Sequence, residues 1–203
     1  MDSDTVLIVV DVQNDFCAGG ALAVPDGDAV VPVVNELIPK FESVVFTQDW
    51  HPAGHSSFAS TYEGKSPFEM VSLDYGEQVL WPDHCVQGTE GADFHPDLNT
   101  AGATMVVRKG FRHRIDSYSA FYENDRSTVT GLSGFLRALR AEKLVMVGLA
   151  TDFCVAYSAL DARQEGFDVT LVMSGCRAID LDGSLASALA QMDAAGVRRV
   201  ETF

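Results

Sequence analysis

Val6–Phe16, VLIVVDVQNDF, is the stretch that decides the fold. Its apolar run, Val6–Val12, is mostly β-branched and is interrupted only by Asp11. A strand with one wet face alternates apolar and polar residues, whereas a strand buried on both faces does not. This run therefore predicts a parallel strand covered by helices on both sides. Similar short runs recur at Val44–Thr47, Thr104–Val107, Leu144–Val147 and Val169–Val172. Between several of them lie segments with helical spacing: Asp28–Lys40, Leu132–Glu142, Asp152–Glu165 and Gly183–Ala195. Pro32 falls in the first turn of the first of these, where a missing N–H is tolerated. Alternation of this kind predicts an α/β fold, a doubly wound and mainly parallel sheet of about six strands flanked by helices. The C-terminal RRVETF supplies a candidate last edge strand.

The length of 203 residues suggests one domain over 1–203 and is enough to bury a substantial core. With 47% hydrophobic and 21% charged residues, disorder is excluded as a class. No apolar run approaches the roughly 20 residues of a membrane helix. The N-terminus, MDSDTVLIVVDVQ, has two acids and no basic residue ahead of its apolar stretch, unlike a secretory signal. A cytoplasmic protein is the simplest expectation. Fourteen basic against 29 acidic residues give a formal charge of −15, which argues against nucleic acid as a partner. Such an acidic chain suits a salty medium that screens self-repulsion. Oligomeric state is left open, a homo-oligomer included. Cys17, Cys85, Cys154 and Cys176 are widely spaced and form no CxxC pattern, so reduced thiols are expected.

One region breaks the rhythm. Residues 51–98 hold four of the five histidines together with prolines, glycines and aromatics, without a strong period. A loop this long in a compact domain is usually functional or disordered. Trp50 at its boundary and Trp81 within it favour order, so about 49–98 is expected to be an insertion that binds metal and substrate.

Ligands of doubly wound sheets bind beyond the carboxyl ends of the strands. Residues just after the apolar runs should then converge: Asp11, Asp49, Lys109 and the turn Ala150–Cys154. Cys154 lies where a strand turns into a helix, so backbone N–H groups and the helix dipole favour its thiolate and could hold an oxyanion. On this segment alone, a small cysteine packed in the core is an equal reading. Taken singly, Asp11 reads as a turn cap and Lys109 as an exposed strand end. A lysine on a buried strand needs an acidic partner, and Asp11 is a candidate. Together the three make a thiol, an acid and an ammonium on adjacent strand ends, where the lysine would favour the thiolate and Asp11 would take the thiol proton and return it to a leaving amine. Asp49 and His51, two residues apart, can reach one ion, with His84 as a third ligand and His55 as a further candidate. Zinc suits that set, and iron or manganese fits it too. His95 and His113 read as solvated or turn-capping.

The stretches DVQNDFCAGGAL, FTQDWHPAGHSSFA, WPDHCVQGT, KG followed by DSYSAF, and GLATDFCV run in order from Asp11 to Val155. Through them the chain resembles nicotinamidases of the isochorismatase-like cysteine hydrolase superfamily. The resemblance implies hydrolysis of nicotinamide to nicotinate and ammonia, a step of NAD salvage, through a cysteine thioester, with pyrazinamide also accepted. It implies a triad of Asp11, Lys109 and Cys154, and one divalent ion, zinc first, on Asp49, His51 and His84. Family members vary in the remaining ligand, which keeps His55 open. It further implies a cis peptide between Ala150 and Thr151, backbone N–H groups of Ala150 and Cys154 on the substrate oxygen, and Phe16, Trp81 and Tyr118 around the ring. Isochorismatases commonly lack the cysteine, and carbamoyl amidases often lack the metal set. A non-catalytic scaffold would show four equally sluggish thiols, and a redox protein would need a resolving cysteine beside Cys154.

Overall fold

A computed structural model describes residues 3–203; Met1 and Asp2, the start of the acidic N-terminus, lie outside the described residues. Strand β1, Thr5–Val10, is buried along its whole length, as its unbroken apolar run requires. Leu7 and Val9 point into one core layer, and Val6, Ile8 and Val10 into the other. Each such aliphatic side chain contributes roughly 1.5–3 kcal/mol by leaving water. On one face lie helix α1 (Val30–Leu37) and much of the aperiodic region, through Trp81, Cys85, Ala92 and Leu98. On the other lie α2 (Leu132–Ala138), α3 (Ala156–Gln164) and α4 (Ser184–Ala194).

The remaining sheet strands are β2 (Ser43–Asp49), β5 (Met105–Lys109), β6 (Lys143–Leu149), β7 (Asp168–Arg177) and β8 (Arg198–Val200). They pair in parallel in the order β5-β2-β1-β6-β7-β8. The chain winds outward from β1 through β2 to β5, then returns to β6 and winds the other way. The switch point therefore falls between β1 and β6. Here the loops leaving two neighbouring strands diverge and open a crevice.

Four local expectations change. The helical segment Asp152–Glu165 is split: Thr151–Val155 forms a π-helical turn before α3 begins. The cis peptide lies at Leu149–Ala150, not Ala150–Thr151, because β6 stays paired with β7 through Leu149 and the chain turns directly after it. The aperiodic region also holds an antiparallel hairpin, β3 (Met70–Leu73) and β4 (Gly76–Val79). Four-residue strands with little burial leave no period to read. RRVETF contributes only Arg198–Val200 to the sheet edge. Among the described residues, no helix is long and apolar enough to cross a membrane.

Candidate active site

Asp11 follows β1 in a left-handed conformation, φ 47°, which aspartate tolerates better than most residues. Its N–H donates to Thr47 Oγ1 (3.1 Å), and the Thr47 hydroxyl donates to Asp11 Oδ1 (2.5 Å). Both residues are fully buried. The other carboxylate oxygen, Oδ2, meets Lys109 Nζ at 2.8 Å but makes no aligned hydrogen bond. Lys109 ends β5 and is itself fully buried. Its ammonium also donates to Asp49 Oδ1 (2.5 Å), the Ser117 carbonyl (2.8 Å) and Cys154 Sγ (3.4 Å). Asp11, Asp49, Lys109 and Cys154 thus meet at the switch point. Asp11, the candidate acidic partner of Lys109, does meet it, and Asp49, which ends β2, is a second.

Opposing influences act on the thiol. Burial pushes Cys154 well above the usual thiol range. Lys109 opposes that rise, while Asp11 and Asp49 add to it. Attack on a substrate requires the thiol to lose its proton. Burial likewise raises Asp11, against the pull of Lys109, so this carboxylate is a better base than an exposed one.

Asp49 faces two ways. Burial pushes its carboxyl up, but Lys109 and the imidazoles of His51 and His84 prevail and hold it far below the usual range. Its Oδ2 lies 3.5 Å from His51 Nε2 and 3.8 Å from His84 Nε2. His51 Nδ1 is 2.9 Å from the Gly110 carbonyl, and His84 Nδ1 is 2.7 Å from the Pro82 carbonyl. Those bonds place a proton on each Nδ1 and turn Nε2 toward Asp49, the orientation a ligating imidazole adopts. Gly110 has no side chain for a reason: a Cβ there would stand 2.4 Å from His51 Cε1.

The donor atoms of Asp49, His51 and His84 lie within 4.8 Å of one another, all buried. Burial and neighbouring His51 push His84 down to about 4, which keeps it neutral. Burial lowers His51 as well, yet Asp49 and Asp116 raise it above its ordinary value. An imidazole nitrogen set 3.5 Å from Asp49 and 4.0 Å from Asp116 marks a place that favours a cation. The residues fit a divalent ion by charge and by donor type.

His55 turns no free nitrogen to this group. Its Nδ1 is bonded to Ser57 Oγ (2.7 Å), and its Nε2 faces the carbonyls of Arg112 (2.9 Å) and Ile115 (3.2 Å). His95 bonds Asp28 and accepts the Asp97 N–H, and His113 is exposed. The four cysteines are free and buried.

A narrow cleft leads to Cys154. Phe16, Trp81 and Tyr118 line it, as do Ala150, Asp49 and His84. Leu22, Asp116, Phe153 and Ile179 complete the wall without having been singled out in the sequence. The first three sit inside the quoted motifs, where a closer reading could have found them. Ile179 lies outside every motif and carries no signal. Trp81 Nε1 donates to Tyr118 Oη at 3.1 Å, and the ring of Phe153 stands edge-on to Trp81 at 5.0 Å. The wall is aromatic and apolar, with its polar groups gathered at the thiol and at the imidazoles.

The chain as a whole is similar to known proteins. An isochorismatase domain model matches residues 5–202. A nicotinamidase of Acinetobacter baylyi is 50% identical over 200 residues, covering 98% of this chain and 94% of its own. The solved structure of an Acinetobacter baumanii nicotinamidase and pyrazinamidase superposes with a TM-score of 0.97 at 52% identity, over 98% of this chain and 97% of that one. A Pyrococcus horikoshii pyrazinamidase solved with zinc gives 0.79 at 35% identity, over 98% and 99%. A domain match from the first strand to the penultimate residue, and relatives sharing half their positions along nearly the whole length, place this chain in the isochorismatase family.

Proposed function

We propose that the protein hydrolyses nicotinamide to nicotinate and ammonia, and that it accepts pyrazinamide as well. The observation that carries this reading is the single ammonium of Lys109 touching Asp11, Asp49 and Cys154 beside two imidazoles, at the floor of an aromatic cleft. A flat ring fits between Phe16, Trp81 and Tyr118, which exclude water and bring the carboxamide carbon to the sulfur. Asp49, His51 and His84 would hold a divalent ion, zinc first, with iron or manganese compatible with the same donors. When bound, that ion supplies a Lewis-acidic contact for the ring nitrogen and so orients the carboxamide.

Asp11 Oδ2, without an aligned donor, takes the proton of Cys154 Sγ as the sulfur attacks the carboxamide carbon. Lys109 holds Asp11 in place and offsets the charge that develops. The backbone N–H groups of Ala150 and Cys154 hold the tetrahedral oxyanion; losing one such donor typically costs roughly 3–4 kcal/mol. Asp11 returns the proton to the nitrogen, the C–N bond breaks and ammonia leaves. A water then adds to the thioester carbon, giving up a proton to Asp11. The C–S bond breaks, nicotinate departs and the thiol is restored.

The test is ammonia release from nicotinamide and pyrazinamide, before and after dialysis against a chelator. Cys154→Ala should fold normally and release ammonia no faster than buffer. A variant with near-parental turnover would remove the nucleophile from this account.

A further inference from the structure

The hairpin β3–β4 lies on the surface, and only one of its eight strand residues, Gln78, is buried. Gln78 is 1% exposed. A hairpin built to add core would bury apolar side chains; this one buries an amide.

That amide faces the pocket wall. Nε2 lies 2.8 Å from Asp116 Oδ2, 3.0 Å from Tyr118 Oη and 2.7 Å from the Val79 carbonyl. Oε1 accepts from Tyr75 Oη (3.0 Å) and from Asn124 Nδ2 (3.2 Å). Asn124 Oδ1 in turn accepts the Tyr118 N–H (3.0 Å), and Trp81 Nε1 reaches the same Tyr118 oxygen. Asp116, Tyr118 and Trp81 line the cleft, whereas Gln78 does not. The side chain therefore touches no substrate yet meets the backs of groups that do.

We propose that Gln78 is a positioning residue, and that the hairpin exists to deliver its amide to Asp116 and Tyr118 and so hold the ring-binding wall in register. The inference rests on the proposed function, because the wall it fixes is the one assigned to the pyridine ring. A buried carboxylate and phenol that each lose one donor would shift toward the donors left to them, the Ser117 N–H and the Trp81 indole. Lys109 does donate to the carbonyl of Ser117, between Asp116 and Tyr118, but that bond is made by backbone, and the hydrogen bonds of the Gln78 amide go to none of Asp11, Lys109 or Cys154. The loss should thus fall on substrate binding more than on turnover.

Gln78→Leu keeps the bulk and removes the donors. We expect KM for nicotinamide to rise about tenfold with kcat largely kept, the size of losing one or two buried hydrogen bonds. The indole N–H resonance of Trp81 should shift as Tyr118 is released. Combining Gln78→Leu with Tyr118→Phe should raise KM little beyond the worse single variant, since both cut the same link. A merely structural role would lower the melting temperature and leave KM and the indole resonance where they were; that result overturns the inference. Should Gln78→Leu not fold, Gln78→Glu keeps the shape but sets a carboxylate against Asp116, and the same rise in KM is required of it. The parental enzyme is assayed in parallel. No ammonia from the parent would defeat both the proposed function and this inference. An active parent with an indistinguishable Gln78 variant would defeat this inference alone.

Discussion

At the scale of the residue, Lys109 concentrates the argument. An ammonium out of water loses several kcal/mol of hydration, and only well-placed counter-charges offset the loss. Here two carboxylates do so, at 2.8 Å and 2.5 Å. Together they hold Lys109 well above the usual range despite its burial, so it stays charged throughout the working pH. Lys109→Met would leave Asp11 and Asp49 facing each other without their cation. We expect stability to fall by about 3 kcal/mol and turnover to fall by roughly 10²–10⁴-fold. Urea midpoints and kcat measure the two separately. A stable, active methionine variant would show that the lysine is replaceable packing.

At the scale of the element, the meeting of β1 and β6 sets the geometry of the site. Val10, the last residue of β1, pairs with Gly148, the last but one of β6, next to Asp11 and close to the cysteine turn. Gly148 has φ 124°, and a Cβ there would stand 2.0 Å from the Val10 carbonyl oxygen. Backbone on the other side leaves no room to yield. Gly148→Ala should therefore destabilise by about 3 kcal/mol or more, seen as a lowered urea midpoint. The turn ahead of α2 offers a gentler case. Asp125 accepts from Ser127 N, Ser127 Oγ, Thr128 N and Thr128 Oγ1. Slight burial pushes its carboxyl up, but those four donors prevail and bring it down to about 2. A carboxyl lowered by folding contributes stability above its unfolded value and loses it as pH falls through the folded one. Asp125→Ala should thus cost about 1 kcal/mol at neutral pH, discounted for a partly exposed group. The difference from the parent should fade between about pH 4 and pH 2. Chemical denaturation at several pH values reads it, and a constant difference would refute the capping account.

At the scale of the whole molecule, charge dominates. A formal −15 on 203 residues makes the compact state repel itself. Salt shortens the reach of that repulsion, to about 10 Å at 0.1 M and 3 Å at 1 M. The melting temperature should climb as NaCl rises across that range. An indifferent melting temperature would mean that the acidic residues are already paired or too far apart to matter, and would remove the link to a salty medium.

Much of this protein was legible before any coordinate. Unbroken β-branched runs such as Val6–Val10 require two covered faces, and so a parallel sheet between helices. The chemistry at strand ends follows from that sheet, which is why Asp11, Asp49, Lys109 and the Ala150–Cys154 turn could be named from order alone. Tertiary structure decided what distance along the chain hides. Asp49 and Lys109 are 60 residues apart, yet adjacent strands put them 2.5 Å from each other, so one carboxylate serves both the lysine and the imidazoles. The resting state of Cys154 depends on how deeply it is buried and on which charges surround it, and neither is written in its neighbours in sequence. Gln78 shows the same limit most plainly: a polar residue in an aperiodic loop acquires a role only when folding presses it against Asp116 and Tyr118. Sequence determines local periodicity and covalent order; proximity, and with it desolvation and charge coupling, exists only once the sheet has formed.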